Sequence, residues 1–495
     1  MTELVPYLVA LVVALPLLAG ALLQLPRTPG GADRLNAALS LPTAGVALAL
    51  AAIALSRGGA EALRGDLYLV DGASGVYLAL IAVVGLCSAL VSPVYLRSAG
   101  RSWFSAERSR HRYYGALHLF WGVLLAVAIA GNLAVAWLLI EATTAASALL
   151  VAFSGRRDAL EAGWKYLVLT TLGLSVSLLG IVVLGLAVSG SGHSGLRALD
   201  WHALQAVADG LPHDATLVAF VLILAGLATK IGWAPVHNWL PDAHSEAPAP
   251  ISALLSAALL PTVLLVAWRL KSTLEAAVGG GPAGALFLAF GLASLIVAVP
   301  FLWRPLPWKR LLAYSSLEHM GILALGIGFG TPLAIAGVVL HVAGHGLSKA
   351  LGFYAALPLL RGDPEAARRA PAGMAALSPP TATAMGISLG TLGGLPPSPL
   401  FVSELLILLG GMAAGETAVV AVAAVALALG FLGLLHALVE GVVGEPGGRR
   451  FVRRRGERPV AVLTAVLGAA LVGLTVTGLL LPGSAFVETL ARGSL

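Results

Sequence analysis

The chain has 495 residues, 58% of them hydrophobic and 11% charged, with a mean hydropathy of +0.92 and a formal net charge of +6. Soluble domains carry about 25% charged residues, so a soluble enzyme is excluded; apolar runs of about twenty residues between short polar turns predict an all-α polytopic protein in a lipid bilayer. The basic residues sit in the turns rather than in one patch, which marks them as topology signals and argues against a nucleic-acid partner.

Met1 to Leu25 lacks a basic leader and a small-residue cleavage pattern, and is expected to be the first membrane helix. Helices are predicted over 4–25, 36–56, 72–96, 114–131, 133–153, 162–189 and 215–234. A second series follows over 249–270, 283–303, 309–329, 331–360, 374–412, 415–441 and 459–482, fourteen in all. Cys87, on the third run, is the single cysteine. The chain therefore has no internal disulfide, cysteine-ligated zinc site or iron–sulfur cluster of its own. The run 331–360 is long and is expected to bend around Gly344 and Gly346.

With fourteen spans, one set of turns collects most of the positive charge: Arg27 and Arg34; Arg97, Arg101, Arg108, Arg110 and Arg112; Arg156, Arg157 and Lys165. It continues with Arg304, Lys309 and Arg310; Arg361, Arg368 and Arg369; and the stretch Arg449 to Arg458. The opposite set has only Arg57, Arg64, Arg197, Arg269, Lys271 and Arg492. Positive turns stay inside, so both termini are predicted outside.

Two predicted helices are broken. The seventh carries Lys230 and is interrupted at Pro235; an acidic turn with His237, Asp242, His244 and Glu246 leads to the eighth. The twelfth is interrupted by Gly393–Pro399, GGLPPSP, and then carries Glu404 in FVSELLILLGG. The fifth carries Glu141 and the tenth His319, also five helices apart. Such spacing inverts a repeat across the membrane, and paired broken helices point to a transport site at mid-depth. An ionisable group there costs about 2.5–3.5 kcal/mol on insertion scales, so each is a candidate pathway residue.

Glu141 would be driven neutral alone, and Lys230 is its candidate partner. His341, His345 and Lys349 recur every fourth residue on one face of the eleventh helix and read as a proton-relaying stripe. A metal site there is disfavoured, because the lysine repels a cation and no third ligand is evident. His319 extends the polar axis; Glu318 beside it points about 100° away. Glu404 is a candidate terminal proton exchanger. Lys165, four residues after Glu161, reads equally as a surface pair, and His237 and His244 as a water-accessible mouth or a structural turn.

At these residues the chain resembles a known family. KIGWAPVHNWLPDAHSEAPAPISALLSA, WKRLLAYSSLEHMG and HVAGHGLSKALGF look like the signatures of the proton-translocating antiporter-like membrane subunits of respiratory complex I, Mrp sodium/proton antiporters and group 4 membrane-bound hydrogenases. WLLIEATTAASALLVAF followed by LEAGWKYLVL is most similar to the F-type subunit of hydrogenase-4 and formate hydrogenlyase. The resemblance implies fourteen helices with two inverted five-helix repeats. Residues 1–113 would hold the first three helices, 114–272 and 273–441 the repeats, and 442–495 a basic cytoplasmic loop and the last helix.

It further implies that Glu141 and Lys230 form a coupling pair, with His319, His341, His345 and Lys349 leading to Glu404. The family's mid-helix lysine on the eighth helix is missing here, where SALLSAALLPTVLL places Pro261. The link from Lys230 to His319 would then use water or a carbonyl freed by the proline. The short tail after the last helix suggests a hydrogenase-like or middle-subunit type.

The expected function is proton translocation, with sodium as the other candidate ion, by a multi-pass subunit in a prokaryotic plasma membrane. Its expected partners are other antiporter-like subunits and a peripheral cytoplasmic redox arm, with iron–sulfur clusters and a nickel–iron centre in those partners. The alternatives are a gradient-driven Mrp-type antiporter subunit, an ion-conducting partner of an inorganic-carbon uptake system, and a structural subunit with a vestigial channel.

Overall fold

The computed structural model describes residues 4–25, 28–56, 63–65, 67–98, 109–189, 195–357, 373–445 and 457–491. The long helices begin with α1 (Val5–Leu22), α2 (Pro29–Ser56), α3 (Gly72–Ser98), α4 (Ser109–Ala128), α5 (Leu133–Val151), α6 (Arg157–Ser189) and α7 (His213–Ile231). They continue with α8 (Ala249–Val278), α9 (Gly280–Leu302), α10 (Trp308–Phe329), α11 (Pro332–Ala355), the two-part α12 (Pro379–Leu392 and Pro399–Ala413), α13 (Thr417–Ala437) and α14 (Glu457–Leu480). Among the described residues, 12 helices are long and apolar enough to cross a membrane. Beside them stand α4, which opens on the polar run Ser109 to Arg112, and the shorter apolar second part of α12.

Several helices begin earlier than hydropathy predicts. α2 starts at Pro29, α4 at Ser109 and α6 at Arg157. Charged residues continue these helices because they find partners there: Arg110 donates to both Asp33 oxygens, at 2.6 and 2.7 Å, and the Tyr114 hydroxyl donates to Asp33 at 2.6 Å. Arg269 and Lys271, assigned to a turn, are instead buried within α8. Arg269 donates to both Asp71 oxygens at 3.0 Å and to Ser74 Oγ at 2.6 Å, tying α8 to the start of α3. Arg27, Arg57, Arg101, Arg108, Arg361, Arg368, Arg369, Arg492 and residues 449–456 of the basic loop lie outside the described residues.

Among the described residues, four of the turns assigned to one side are tied together at one end of the bundle. Arg97 and Arg110 pair with Asp33, Arg156 pairs with Glu246, and Arg310 pairs with Asp242 at 3.0 Å. Each pair joins turns that are far apart in sequence. The opposite end is tied by the Arg269–Asp71 pair and by short bridges from Tyr68 to Ala130 and from Asn132 to Asp200.

Glycines set how closely the helices pack. A Cβ on Gly226 of α7 would lie 2.5 Å from the Gly173 carbonyl oxygen of α6, and one on Gly337 of α11 would lie 2.7 Å from the Ser403 carbonyl oxygen of α12. Small residues let helix backbones approach where no hydrophobic effect drives them together. α11 runs helically through Gly344 and Gly346. These two glycines admit Leu400 and Leu80, whose methyls lie 2.5 Å from where a Cβ would be. α8 is enclosed on all sides and carries a π-helical stretch, Leu255–Leu259, just before Pro261.

Candidate functional site

Both breaks are present. α7 ends at Ile231, with Gly232 left-handed at φ 81°, and the chain then runs irregularly to the short helix Leu240–Glu246. The two parts of α12 are separated at residues 393–398, and Ser398 caps the second through a hydrogen bond from Phe401 N at 3.2 Å. Ionisable residues are thus held beside helix ends that leave backbone groups free of intrahelical partners.

In the first half Lys230 is fully buried. Its Nζ donates to Thr144 Oγ1 at 2.7 Å and to the Tyr166 hydroxyl at 2.5 Å. That hydroxyl also pairs with Ser147 Oγ at 2.7 Å, and the Tyr166 ring packs on Trp239 at 4.7 Å. Glu141 and Lys230 do not form the direct ion pair expected of them. Glu141 Oε1 accepts from Thr171 of α6 at 2.8 Å, and its buried Oε2 has no protein partner. Thr144, three residues on from Glu141 along α5, takes the lysine's hydrogen bond in its place.

Between the halves, Ser256 in the π-helical stretch of α8 hydrogen-bonds Ser316 of α10 at 2.8 Å. Pro261 has no N–H to donate to Ala257 one turn back. The Ala257 carbonyl oxygen faces α11, 3.1 Å from where a Cβ on Gly346 would stand.

In the second half, α10, α11 and α12 bring the predicted residues together. His319 Nδ1 and His341 Nε2 are 3.1 Å apart, and His341 Nδ1 lies 2.8 Å from Ser403 Oγ. The His345 ring is 5.2 Å from that of His319, and neither of its nitrogens has a partner. Lys349 donates to the Leu312 carbonyl at 2.6 Å and to Ser315 Oγ. His319, His341 and Glu404 each offer a polar atom within 4.8 Å of the others. The histidines and Lys349 are fully buried, whereas Glu404 is partly exposed. Glu318 faces away as expected, its carboxylate packed against Gly430 of α13.

The remaining candidates hold the first break in shape. Lys165 bonds Glu161 at 2.6 Å and reaches Asp242 at 3.5 Å, and Lys309 donates to the carbonyls of Ser245 and Ala247. His244 is fully buried between Trp239 and Phe353, with Nδ1 2.9 Å from the Leu240 carbonyl. His237 is half-buried in the break, and burial lowers its pKa from the ordinary histidine value.

Thr144, Tyr166, Ser147, Ser256, Ser315, Ser316 and Ser403 were not singled out from sequence. Several left a signal: Thr144 and Ser147 follow Glu141 by three and six residues, and Ser315 and Ser316 precede His319 by four and three. Hydroxyls at helical spacing from an intramembrane charge are its candidate ligands.

The residues 130–430 match the family described as "NADH:quinone oxidoreductase/Mrp antiporter, TM". The chain is 33% identical over 393 residues to a hydrogenase-4 component F homolog of Methylacidiphilum infernorum, covering 78% of this chain and 80% of that one. It is 30% identical over 492 residues to an NADH-quinone oxidoreductase subunit N of Desulforudis audaxviator, covering 90% and 93%. Among solved structures, a chain of Thermus thermophilus respiratory complex I superposes with a TM-score of 0.79 at 25% identity, covering 97% of this chain and 99% of that one. A chain of the Mrp complex of Dietzia sp. DQ12-45-1b does so with a TM-score of 0.80 at 20% identity, covering 98% and 97%, a likeness of fold. The broken helices, their buried lysine and histidines, and these similarities lead to one conclusion: this chain belongs to the family of antiporter-like membrane subunits shared by NADH:quinone oxidoreductases and Mrp antiporters.

Proposed function

We propose that the protein is a proton-translocating subunit of a multisubunit redox complex of the group 4 hydrogenase or complex I type, in a prokaryotic plasma membrane. It crosses the bilayer fourteen times, ten of these as two inverted five-helix repeats, with both termini outside. Iron–sulfur clusters and a nickel–iron centre belong to its partners, a peripheral cytoplasmic arm working alongside further antiporter-like subunits.

The observation that carries this reading is a series of buried polar groups through an apolar bundle: Lys230 with Thr144 and Tyr166, Ser256 with Ser316, Lys349 with Ser315, and His319 with His341 and Ser403. Buried charges this deep are retained in membranes for ion movement. Lys230 is held by neutral hydroxyls, so no bound counter-ion cancels its charge. Glu141 then acts on it across Thr144 as a field rather than as a contact partner, and a perturbation arriving at Glu141 alters how firmly Lys230 keeps its proton. Beyond the serine bridge, the proton moves through the imidazoles, each of which can accept at one nitrogen and donate from the other, to Glu404 at the partly exposed end.

Purification of the tagged complex from native membranes, with mass spectrometry of its partners, tests the redox assignment. Co-purifying hydrogenase-like and iron–sulfur subunits support it; their absence beside small Mrp-type subunits sinks it. The second reading, a gradient-driven sodium/proton antiporter, is favoured by the likeness to the Mrp chain and predicts sodium-dependent proton exchange in vesicles without an electron donor.

A further inference from the structure

We propose that His319, His341 and Glu404 form a binding site for a divalent transition-metal ion of the zinc class, held between α10, α11 and the second part of α12. Two imidazoles and one carboxylate are a donor set that suits zinc and leaves its fourth position open. Their polar atoms already lie within 4.8 Å of one another. The facing nitrogens of His319 and His341 are 3.1 Å apart, close to the ligand–ligand edge of about 3.3 Å that follows from tetrahedral Zn–N bonds of about 2.0–2.1 Å. Glu404, on a flexible side chain, closes the remaining gap, and it is the one of the three ligands that is not fully buried.

The surrounding hydrogen bonds orient the ligands. The Ser403 hydroxyl donates to the Leu400 carbonyl at 2.9 Å, so its oxygen accepts from His341 Nδ1–H at 2.8 Å. His341 Nε2 therefore presents a lone pair towards His319, the arrangement that a hydrogen-bonded ligand shell enforces at metal-binding histidines. Without metal, His319 Nδ1–H donates into that lone pair. With metal, both facing nitrogens coordinate, and His319 carries its proton on Nε2, a buried nitrogen that has no other partner. The sequence argued against a metal here for want of a third ligand and because of Lys349. Chain folding supplies Glu404, whose carboxylate brings a negative charge to the site, and it directs the Lys349 ammonium to Leu312 and Ser315 of α10 rather than to a ligand nitrogen. An occupied site would also interrupt the proton route, a consequence that rests on the function proposed above; the binding itself does not.

The test is cobalt(II) titration of the purified full-length protein in detergent, read by visible d–d absorption and by displacement with zinc. The wild type is expected to give an intense tetrahedral-type spectrum bleached by a single equivalent of zinc. His341→Ala and the near-isosteric Glu404→Gln should each lose it. Ser403→Ala should bind about tenfold or more weakly, and His345→Ala should bind as the wild type does. Each variant is accepted only if it elutes and melts like the wild type. An absent spectrum in the wild type overturns the site, as does one that survives Glu404→Gln or disappears with His345→Ala.

Discussion

The two breaks place charge differently. At the first, the ionisable group precedes the break: Lys230 is fully buried, satisfied by two hydroxyls, and sealed by ion pairs from Arg156, Lys165 and Arg310 to the following acidic turn. At the second, the group follows the break: Glu404 is partly exposed and lies against Gly394, where a Cβ would stand 2.8 Å from Oε2. One break holds a fully buried cation, the other a partly exposed carboxylate. A lysine enclosed by protein changes its charge only when its surroundings change. Under the function proposed above, the first break gates and the second exchanges.

The sharpest way to break this comparison is Lys230→Ala. It should reduce proton translocation by the reconstituted complex to background while leaving the complex assembled, as judged by native gel electrophoresis. Undiminished translocation would end the gating assignment. Glu404→Gln should also lower the steady-state rate strongly but leave the first half intact, so a fast pH indicator should still register the first proton uptake. Loss of that early phase would put Glu404 in the gate.

Smaller effects sharpen the contrast. Tyr166→Phe removes one of two hydroxyls on Lys230 and the bond to Ser147; with a hydrogen bond to a charged group worth about 1.5–3 kcal/mol, the rate should fall by about ten- to a hundredfold, and Thr144→Val should act alike. Gly226→Val and Gly337→Val probe the helix seams beside the two breaks. Each inserts atoms where a carbonyl lies at 2.5 or 2.7 Å, and each should destabilise the fold by about 1–3 kcal/mol, seen as a lower melting temperature in detergent. Lys165→Ala should change the rate by less than about twofold, because an exposed ion pair contributes little. A large effect would move Lys165 from the rim of the break into the pathway.

The residues that form these sites were largely legible in the chain itself. Glu141, Lys230, His319 and Glu404 stand out because ionisable groups are rare in apolar runs, and His341, His345 and Lys349 share a face by helical spacing alone. The breaks were legible for an equally local reason: Pro235 follows Gly232, and the Pro396–Pro397 pair follows Gly393 and Gly394, the glycine-then-proline order at which helices commonly end. What the spacing of residues could not carry was the partner of each group. The expected Glu141–Lys230 contact is replaced by Thr144 and Tyr166, hydroxyls that hydropathy treats as unremarkable.

Composition and period determined that the chain is a helical membrane protein, where its helices break and which faces are polar, since these depend on neighbours within a few turns. Tertiary structure alone decided that Arg269 is buried against Asp71, that Ser256 meets Ser316 across helices, and that Glu404 joins two histidines from different helices. Those contacts join residues 198, 60 and up to 85 positions apart in the chain. They depend on the close approach that glycines permit between helix backbones, and a helix's own periodicity carries no information about which neighbour it will meet.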